Sequence, residues 1–144
     1  MNPDSNARFR FHHPVEVRFV DLDAASHVHH SRVLVYFEEA RWAYWTELMG
    51  WPEEGEWGFV LARAHVRWRR RIFWPQTLTV GVRVSAIGRR SFEMEFEVAD
   101  AEGDVLACGG STQVTYDFAK GRSIAVPEDL REKFTDFDGP FSSG

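Results

Sequence analysis

Residues 17–41 read VRFVDLDAASHVHHSRVLVYFEEAR, and this stretch decides the fold. It begins with the alternation of a β-strand, loses any apolar period over residues 21–30, and then shows apolar residues at helical spacing. We therefore predict a strand, a loop and a long helix in direct succession. The loop brings Asp21, Asp23 and several histidines to the helix N-terminus, where backbone N–H groups point outward. A carboxylate beside such donors suits carbonyl chemistry.

The flanking sequence fixes the expected limits of the strand and the helix. The strand is predicted over residues 9–20. Pro14 is compatible with this because it falls in the early part, where an edge strand tolerates proline. The helix should have Ser26 or Ser31 as its N-cap and should end at Gly50. Apolar residues cover most of its girth, which predicts a largely buried helix.

Four further stretches have strand character, and they are followed by a short helix. The strands are predicted over residues 58–74, 77–87, 91–99 and 105–116, the short helix over residues 127–134, and a loose tail over residues 135–144. Strict alternation in the second and third stretches favours antiparallel pairing with one buried face. The expected fold is α+β, with a long central helix wrapped by a five-stranded antiparallel sheet.

The chain is predicted to be one domain spanning residues 1–144, with its core over about residues 8–134. Such a sheet covers the helix on one side only and leaves exposed edge strands, so we expect a homodimer or homotetramer.

Composition narrows the class of protein further. The 144 residues are 44% hydrophobic and 27% charged, as in an ordinary globular domain, and the formal net charge of −5 argues against nucleic-acid binding. Cys108 is the single cysteine, which excludes an internal disulfide. There is no signal-peptide layout and no apolar run of about 20 residues, so we predict a cytoplasmic protein with no membrane partner.

Three short motifs carry a resemblance to a known family. They are D-L-D at residues 21–23, H-V-H-H at residues 27–30 and E-E-A-R at residues 38–41. With G-R-R-S-F at residues 88–92 and G-R-S-I-A-V-P at residues 121–127, the chain resembles hot-dog-fold acyl-CoA thioesterases of the 4-hydroxybenzoyl-CoA thioesterase type. The resemblance covers about residues 15–134.

The resemblance implies the reaction and its catalytic residues. An acyl-CoA thioester is hydrolysed to a carboxylic acid and free coenzyme A, with no metal or other cofactor. The resemblance places Asp23 as general base or nucleophile and the backbone N–H of His30 as the donor that polarises the carbonyl. The imidazoles of His27 and His30 are expected to orient Asp23 or a water.

The resemblance also implies a coenzyme A site. Residues that contact the nucleotide phosphates should be Arg89, Arg90 and Ser91 at the turn between two strands, together with Arg122. Arginine suits this role because its planar donors bind two phosphate oxygens at once. Two alternatives stay open: acyl-carrier-protein thioesters as the substrate, or a non-catalytic acyl-binding module on the same fold.

Other residues admit plainer explanations. His27, His29 and His30 could form a zinc site, but no acidic ligand follows at helical spacing, and we expect no metal. Glu38 is expected to face inward and pair with Arg41 rather than act as a base. The alternation of a strand predicts that Arg67, Arg69 and Arg71 lie on one side of it.

Overall fold

The described part of the chain forms one antiparallel sheet around one long helix. The computed structural model describes residues 8–51 and 57–141. In chain order the elements are β1 (Phe11–Glu16), a 3-10 turn (Phe19–Asp21), α1 (His30–Met49), β2 (Trp57–Trp68), β3 (Thr77–Ile87), β4 (Ser91–Ala99), β5 (Val105–Asp117), β6 (Arg122–Ser123) and α2 (Glu128–Asp138). The strands lie in the order β1-β3-β4-β5-β2, and β6 pairs with β5. The α+β prediction is confirmed, with a two-residue sixth strand added to the expected five.

The core lies between α1 and the concave face of the sheet. Alternate residues of β3 and β4 point into it, and the Phe37 ring of α1 stacks on the Phe96 ring of β4 with centroids 4.5 Å apart. α1 is buried on one face, since Leu34 remains 40% exposed. The prediction of a largely buried helix is therefore wrong for the face that bears Leu34, because a single sheet covers one side of the helix.

Three elements end at residues other than those predicted. β1 stops at Glu16 because the chain turns at Asp21, whose N–H bonds to the Arg18 carbonyl. β2 stops at Trp68 because the next two backbone N–H groups both bond to the Leu106 carbonyl, which bends the chain away. α2 continues to Asp138, four residues beyond its predicted end.

The longer α2 is anchored at its last residue. The Asp138 carboxylate accepts hydrogen bonds from the Tyr44 hydroxyl and from the Val84 N–H, the latter at 2.9 Å. Burial is the main cause that raises the pKa of Asp138. The predicted loose tail thus contributes helix through Asp138, while its last three residues lie outside the described part of the chain.

The two ends of the sheet carry different features. At one end β1 stops and α1 begins, and here β2 also ends, at Trp68. The opposite end carries the β3–β4 turn, and the 11-residue β3 separates the two ends by about 35 Å.

Among the described helices, neither is long and apolar enough to cross a membrane. A cytoplasmic location stays a prediction.

Candidate active site

The loop between β1 and α1 is a small hairpin. Leu22 and Val28 form an antiparallel bridge, and the Asp23 N–H bonds to the His27 carbonyl at 2.8 Å. At the tip, Ser26 has a φ of 66°, in the left-handed region that lets the chain reverse. These contacts hold Asp23 at a defined place beside the start of α1.

The Asp23 carboxylate is partly exposed and lies on the turn of this hairpin. Its Oδ1 accepts a hydrogen bond from the Ala25 N–H at 2.8 Å. That bond is the largest of several causes that hold the pKa of Asp23 below its ordinary value of 3.8, and the nearby His27 acts in the same direction. The carboxylate is therefore ionised at neutral pH, as a base or nucleophile must be.

Helix α1 begins at His30, and its N-cap is His29. The Nδ1 atom of His29 accepts a hydrogen bond from the Ser31 N–H at 3.2 Å. The predicted caps, Ser26 and Ser31, are wrong, because Ser26 lies at the hairpin tip and Ser31 is already inside the helix. As the first helical residue, His30 has an N–H with no partner within the helix.

A cavity of about 340 Å³ brings the predicted catalytic residues together. Its polar wall holds Asp23, His27 and His30, its apolar wall Val28, Val33, Trp68 and Ile72, and its rim Arg69, Arg70 and Arg71. The Trp68 ring lies edge-on to His30 with centroids 6.2 Å apart. A carboxylate, a helix N-terminus and an apolar wall thus share one space, which is the arrangement expected for an acyl substrate.

The sequence missed the three arginines of this rim. It assigned Arg67, Arg69 and Arg71 to one face of a strand, and this is wrong beyond Arg67 because β2 ends at Trp68. The bend that follows brings three consecutive arginines to the same cavity. The sequence did contain a signal for the end of β2. Three consecutive arginines do not fit the alternation of a half-buried strand.

The predicted coenzyme A residues lie elsewhere in the protomer. Arg89 and Arg90 are exposed at the β3–β4 turn, at the end of the sheet opposite Asp23. Arg90 donates to the Ser123 carbonyl at 3.2 Å, which places Arg122 in the same region, and Ser91 begins β4. Within one protomer the structure does not bring these four residues to the cavity of Asp23.

Glu38 and Arg41 of α1 do not form the pair that the sequence predicted. Glu38 is exposed, so the prediction that it faces inward is wrong, and no Glu38–Arg41 ion pair forms among the described residues. Arg41 is the buried member, with its guanidinium 5.4 Å from the centre of the Phe96 ring. Burial lowers the pKa of Arg41. Arg41 therefore lies on the buried face of α1, and Glu38 lies on the exposed face.

The zinc alternative finds no geometric support. Across residues 8–51 and 57–141, no three side chains of the metal-binding types converge on a common point. The Nδ1 atom of His29 is engaged by Ser31, and the His29 ring packs beside the His30 ring with centroids 4.0 Å apart.

Known proteins are similar to this chain over most of its length. The family model of the thioesterase-like superfamily matches residues 17–134. The long-chain acyl-CoA thioesterase FadM of Escherichia coli (strain K12) is 27% identical over 122 residues, covering 83% of this chain and 92% of that protein.

Solved structures extend the likeness. A thioesterase from Thermus thermophilus, complexed with coenzyme A and Zn, superposes with a TM-score of 0.80 at 34% identity, covering 92% of this chain and 98% of that one. The 1,4-dihydroxy-2-naphthoyl-CoA thioesterase Slr0204 from Synechocystis shares the fold, with a TM-score of 0.79 at 18% identity and coverage of 90% and 98%. The chain therefore belongs to the thioesterase-like superfamily, has the hot-dog fold, and is a thioester hydrolase.

Proposed function

We propose that this protein hydrolyses an acyl-CoA thioester to a carboxylic acid and free coenzyme A. The observation that carries the proposal is the shared cavity, in which the ionised Asp23 carboxylate lies beside the first residue of α1. The coenzyme A carrier is supported by FadM, which is named a long-chain acyl-CoA thioesterase, and by the Thermus thioesterase complexed with coenzyme A.

The chemistry follows from this arrangement. The thioester carbonyl oxygen accepts a hydrogen bond from the His30 N–H, which stabilises the negative charge that develops there. Asp23 either removes a proton from an attacking water or attacks the carbonyl carbon itself and forms a mixed anhydride that water then hydrolyses. In both routes the carbon–sulfur bond breaks and coenzyme A leaves as a thiolate that is then protonated. The His27 and His30 imidazoles orient the water or the carboxylate.

The direct test is hydrolysis of a panel of acyl-CoA thioesters, followed through release of free thiol. Aromatic, short-chain and long-chain acyl groups should be included, because the cavity combines an apolar wall with a cationic rim. Turnover of at least one of them supports the proposal. Binding of acyl-CoA without release of thiol from any member of the panel contradicts it.

A second copy would complete the site. β2 is an edge strand of 12 residues, and an unpaired edge of that length favours pairing with another chain. If two β2 strands pair antiparallel about a two-fold axis, each protomer's Asp23 end lies beside the partner's β3–β4 turn. Arg89 and Arg90 of a second copy would then reach the mouth of the cavity, which one protomer alone does not allow.

We therefore expect at least a dimer at micromolar concentration. Light scattering should give a mass of at least twice the 16.7 kDa of one chain. The physical reason is the open edge of β2, together with apolar surface of α1 that one sheet cannot cover. A monodisperse particle of one chain would contradict both the dimer and the shared site.

Changing Arg89 and Arg90 together to alanine should raise KM for an acyl-CoA several-fold. A remote phosphate contact is made equally in the ground and transition states, so kcat should change little. The KM effect should shrink at high salt, because exposed charges are screened over a Debye length of about 8 Å at physiological ionic strength. Steady-state kinetics at two salt concentrations make the measurement.

A short thioester without the nucleotide is the control for this variant, and its hydrolysis should not change. If the double variant handles acyl-CoA as the parent does, the nucleotide binds elsewhere, and the Arg69–Arg71 rim becomes the next place to examine. If activity is lost on acyl-carrier-protein thioesters instead, the two charges meet an acidic protein.

A further inference from the structure

The first aspartate of the D-L-D motif differs from the second in its surroundings. Asp21 is fully buried, while Asp23 is partly exposed. The Asp21 Oδ2 atom accepts hydrogen bonds from the Tyr36 hydroxyl at 2.7 Å and from the Arg18 N–H at 3.0 Å. Burial, reinforced by Asp21, raises the pKa of Tyr36, so its hydroxyl stays protonated and donates. Oδ2 thereby links the segment that follows β1 to α1.

The second oxygen of Asp21 has a different environment. Oδ1 is buried and accepts no hydrogen bond from any residue within 8–51 and 57–141, but it lies 3.6 Å from Arg18 Nη2 and 3.7 Å from Arg32 Nε. Both arginine side chains are partly exposed, at 55% and 38%. A buried carboxylate is costly unless opposite charge compensates it, and here two cations lie within 4 Å of the same oxygen. One of them belongs to the first turn of α1.

The backbone of Asp21 forms the base of the hairpin that carries Asp23. Its carbonyl accepts a hydrogen bond from the N–H of His29, the N-cap of α1, at 2.8 Å. The next rungs are the Leu22–Val28 bridge and the bond from the Asp23 N–H to the His27 carbonyl. A shift of Asp21 would therefore move Asp23 on one arm and the start of α1 on the other.

We propose that Asp21 is a positioning residue that sets the distance between the Asp23 carboxylate and the His30 N–H. It does not line the cavity and takes no part in the bond changes. The inference rests on the proposed function for its kinetic consequence, but not for its structural one. An error of about 1 Å between reacting groups costs on the order of 100-fold in rate, so the kinetic effect is measurable.

The test compares Asp21→Ala with Asp21→Asn. Asp21→Ala removes both accepted bonds and the charge, and kcat should fall about 10- to 100-fold with KM nearly unchanged. Asp21→Asn can keep the bonds from Tyr36 and Arg18 through its amide oxygen, so its kcat should lie between those of Asp21→Ala and the parent. Glu47→Gln is the control, because it changes an exposed carboxylate far along α1, and its kcat should equal the parent's.

A second measurement is independent of activity. In ¹H–¹⁵N spectra of the full chain, the amide signals of Asp23 and His30 should shift in Asp21→Ala, while those of the β3–β4 turn should not. If Asp21→Ala does not fold, the amide signals of Asp23 and His30 and the value of kcat are measured in Asp21→Asn instead, and they test the proposal. The proposal is overturned if these signals stay in place, or if lost activity returns once cooling makes the variant fully folded. Failure of the parent to hydrolyse any thioester would remove the proposed function and leave the amide test standing.

Discussion

Replacing Asp23 with asparagine should lower kcat by about 10²- to 10⁴-fold and leave the fold intact. The amide oxygen can still accept the hydrogen bond from the Ala25 N–H, so the hairpin should keep its shape. The amide cannot take a proton from water or attack a carbonyl carbon, so the chemical step is lost. Steady-state kinetics on the best acyl-CoA of the panel and thermal unfolding of both proteins make the measurement.

Asp21→Asn is the matched control for this prediction, since it is the same exchange two residues earlier. We expect it to lose much less activity, because Asp21 positions the site without reacting. An Asp23→Asn enzyme that remains active, or equal losses in the two variants, would move the chemistry to another residue.

The low pKa of Asp23 adds a pH dependence to the same prediction. A carboxylate whose pKa lies below 3.8 keeps its charge as the pH falls from neutrality and takes up a proton only below that value. The part of kcat/KM that depends on ionised Asp23 should therefore be constant above about pH 5. An Asp23-dependent acid limb centred near neutrality would contradict the lowered pKa of this carboxyl.

Gly109→Ala should be the most destabilising glycine-to-alanine change in the sheet. A Cβ atom at Gly109 would overlap the backbone carbonyl oxygen of His65 and lie 2.9 Å from the Phe37 ring. Neither neighbour can give way easily, because one is backbone of β2 and the other is a buried core ring. We expect a loss of about 3 kcal/mol. For a chain of this size that lowers Tm by about 6–12 °C, measurable by calorimetry.

Gly58→Ala is the control in the same strand pair. Among the described residues, a new Cβ there would meet the Phe118 ring, at 3.0 Å, and that side chain is 54% exposed. Its Tm should stay within a few degrees of the parent's. If Gly109→Ala is as stable as Gly58→Ala, β2 and β5 are not as closely paired as the register shows.

Much of the fold could be predicted because its signals are local. Alternation in β3 and β4 and the helical spacing after residue 30 depend only on neighbouring residues, and both were confirmed. The limit of β2 depends on hydrogen bonds to a distant partner, the Leu106 carbonyl, and the limit of β1 depends on the turn that the Asp21 N–H closes with the Arg18 carbonyl. No pattern within either strand reports those bonds, so the predicted strands were too long.

The candidate site was also predictable only where its residues are neighbours in the sequence. Asp23, His27 and His30 lie close together in the chain, and the structure gathers them around one cavity. The arginine rim required knowledge of where β2 bends. Arg89, Arg90, Ser91 and Arg122 were assigned by family resemblance, and their part in binding stays a prediction because it depends on a second chain.

The strand order also determines when the cavity can exist during synthesis. One side of the cavity comes from residues 23–33, and the wall at residues 68–72 follows β2. Among the described strands, β2 pairs only with β5. A nascent chain that has not yet emerged through Asp117 therefore holds the Asp23 hairpin and α1 without the wall that encloses them. Truncated or prematurely released chains would carry the whole D-L-D motif and still lack a substrate pocket.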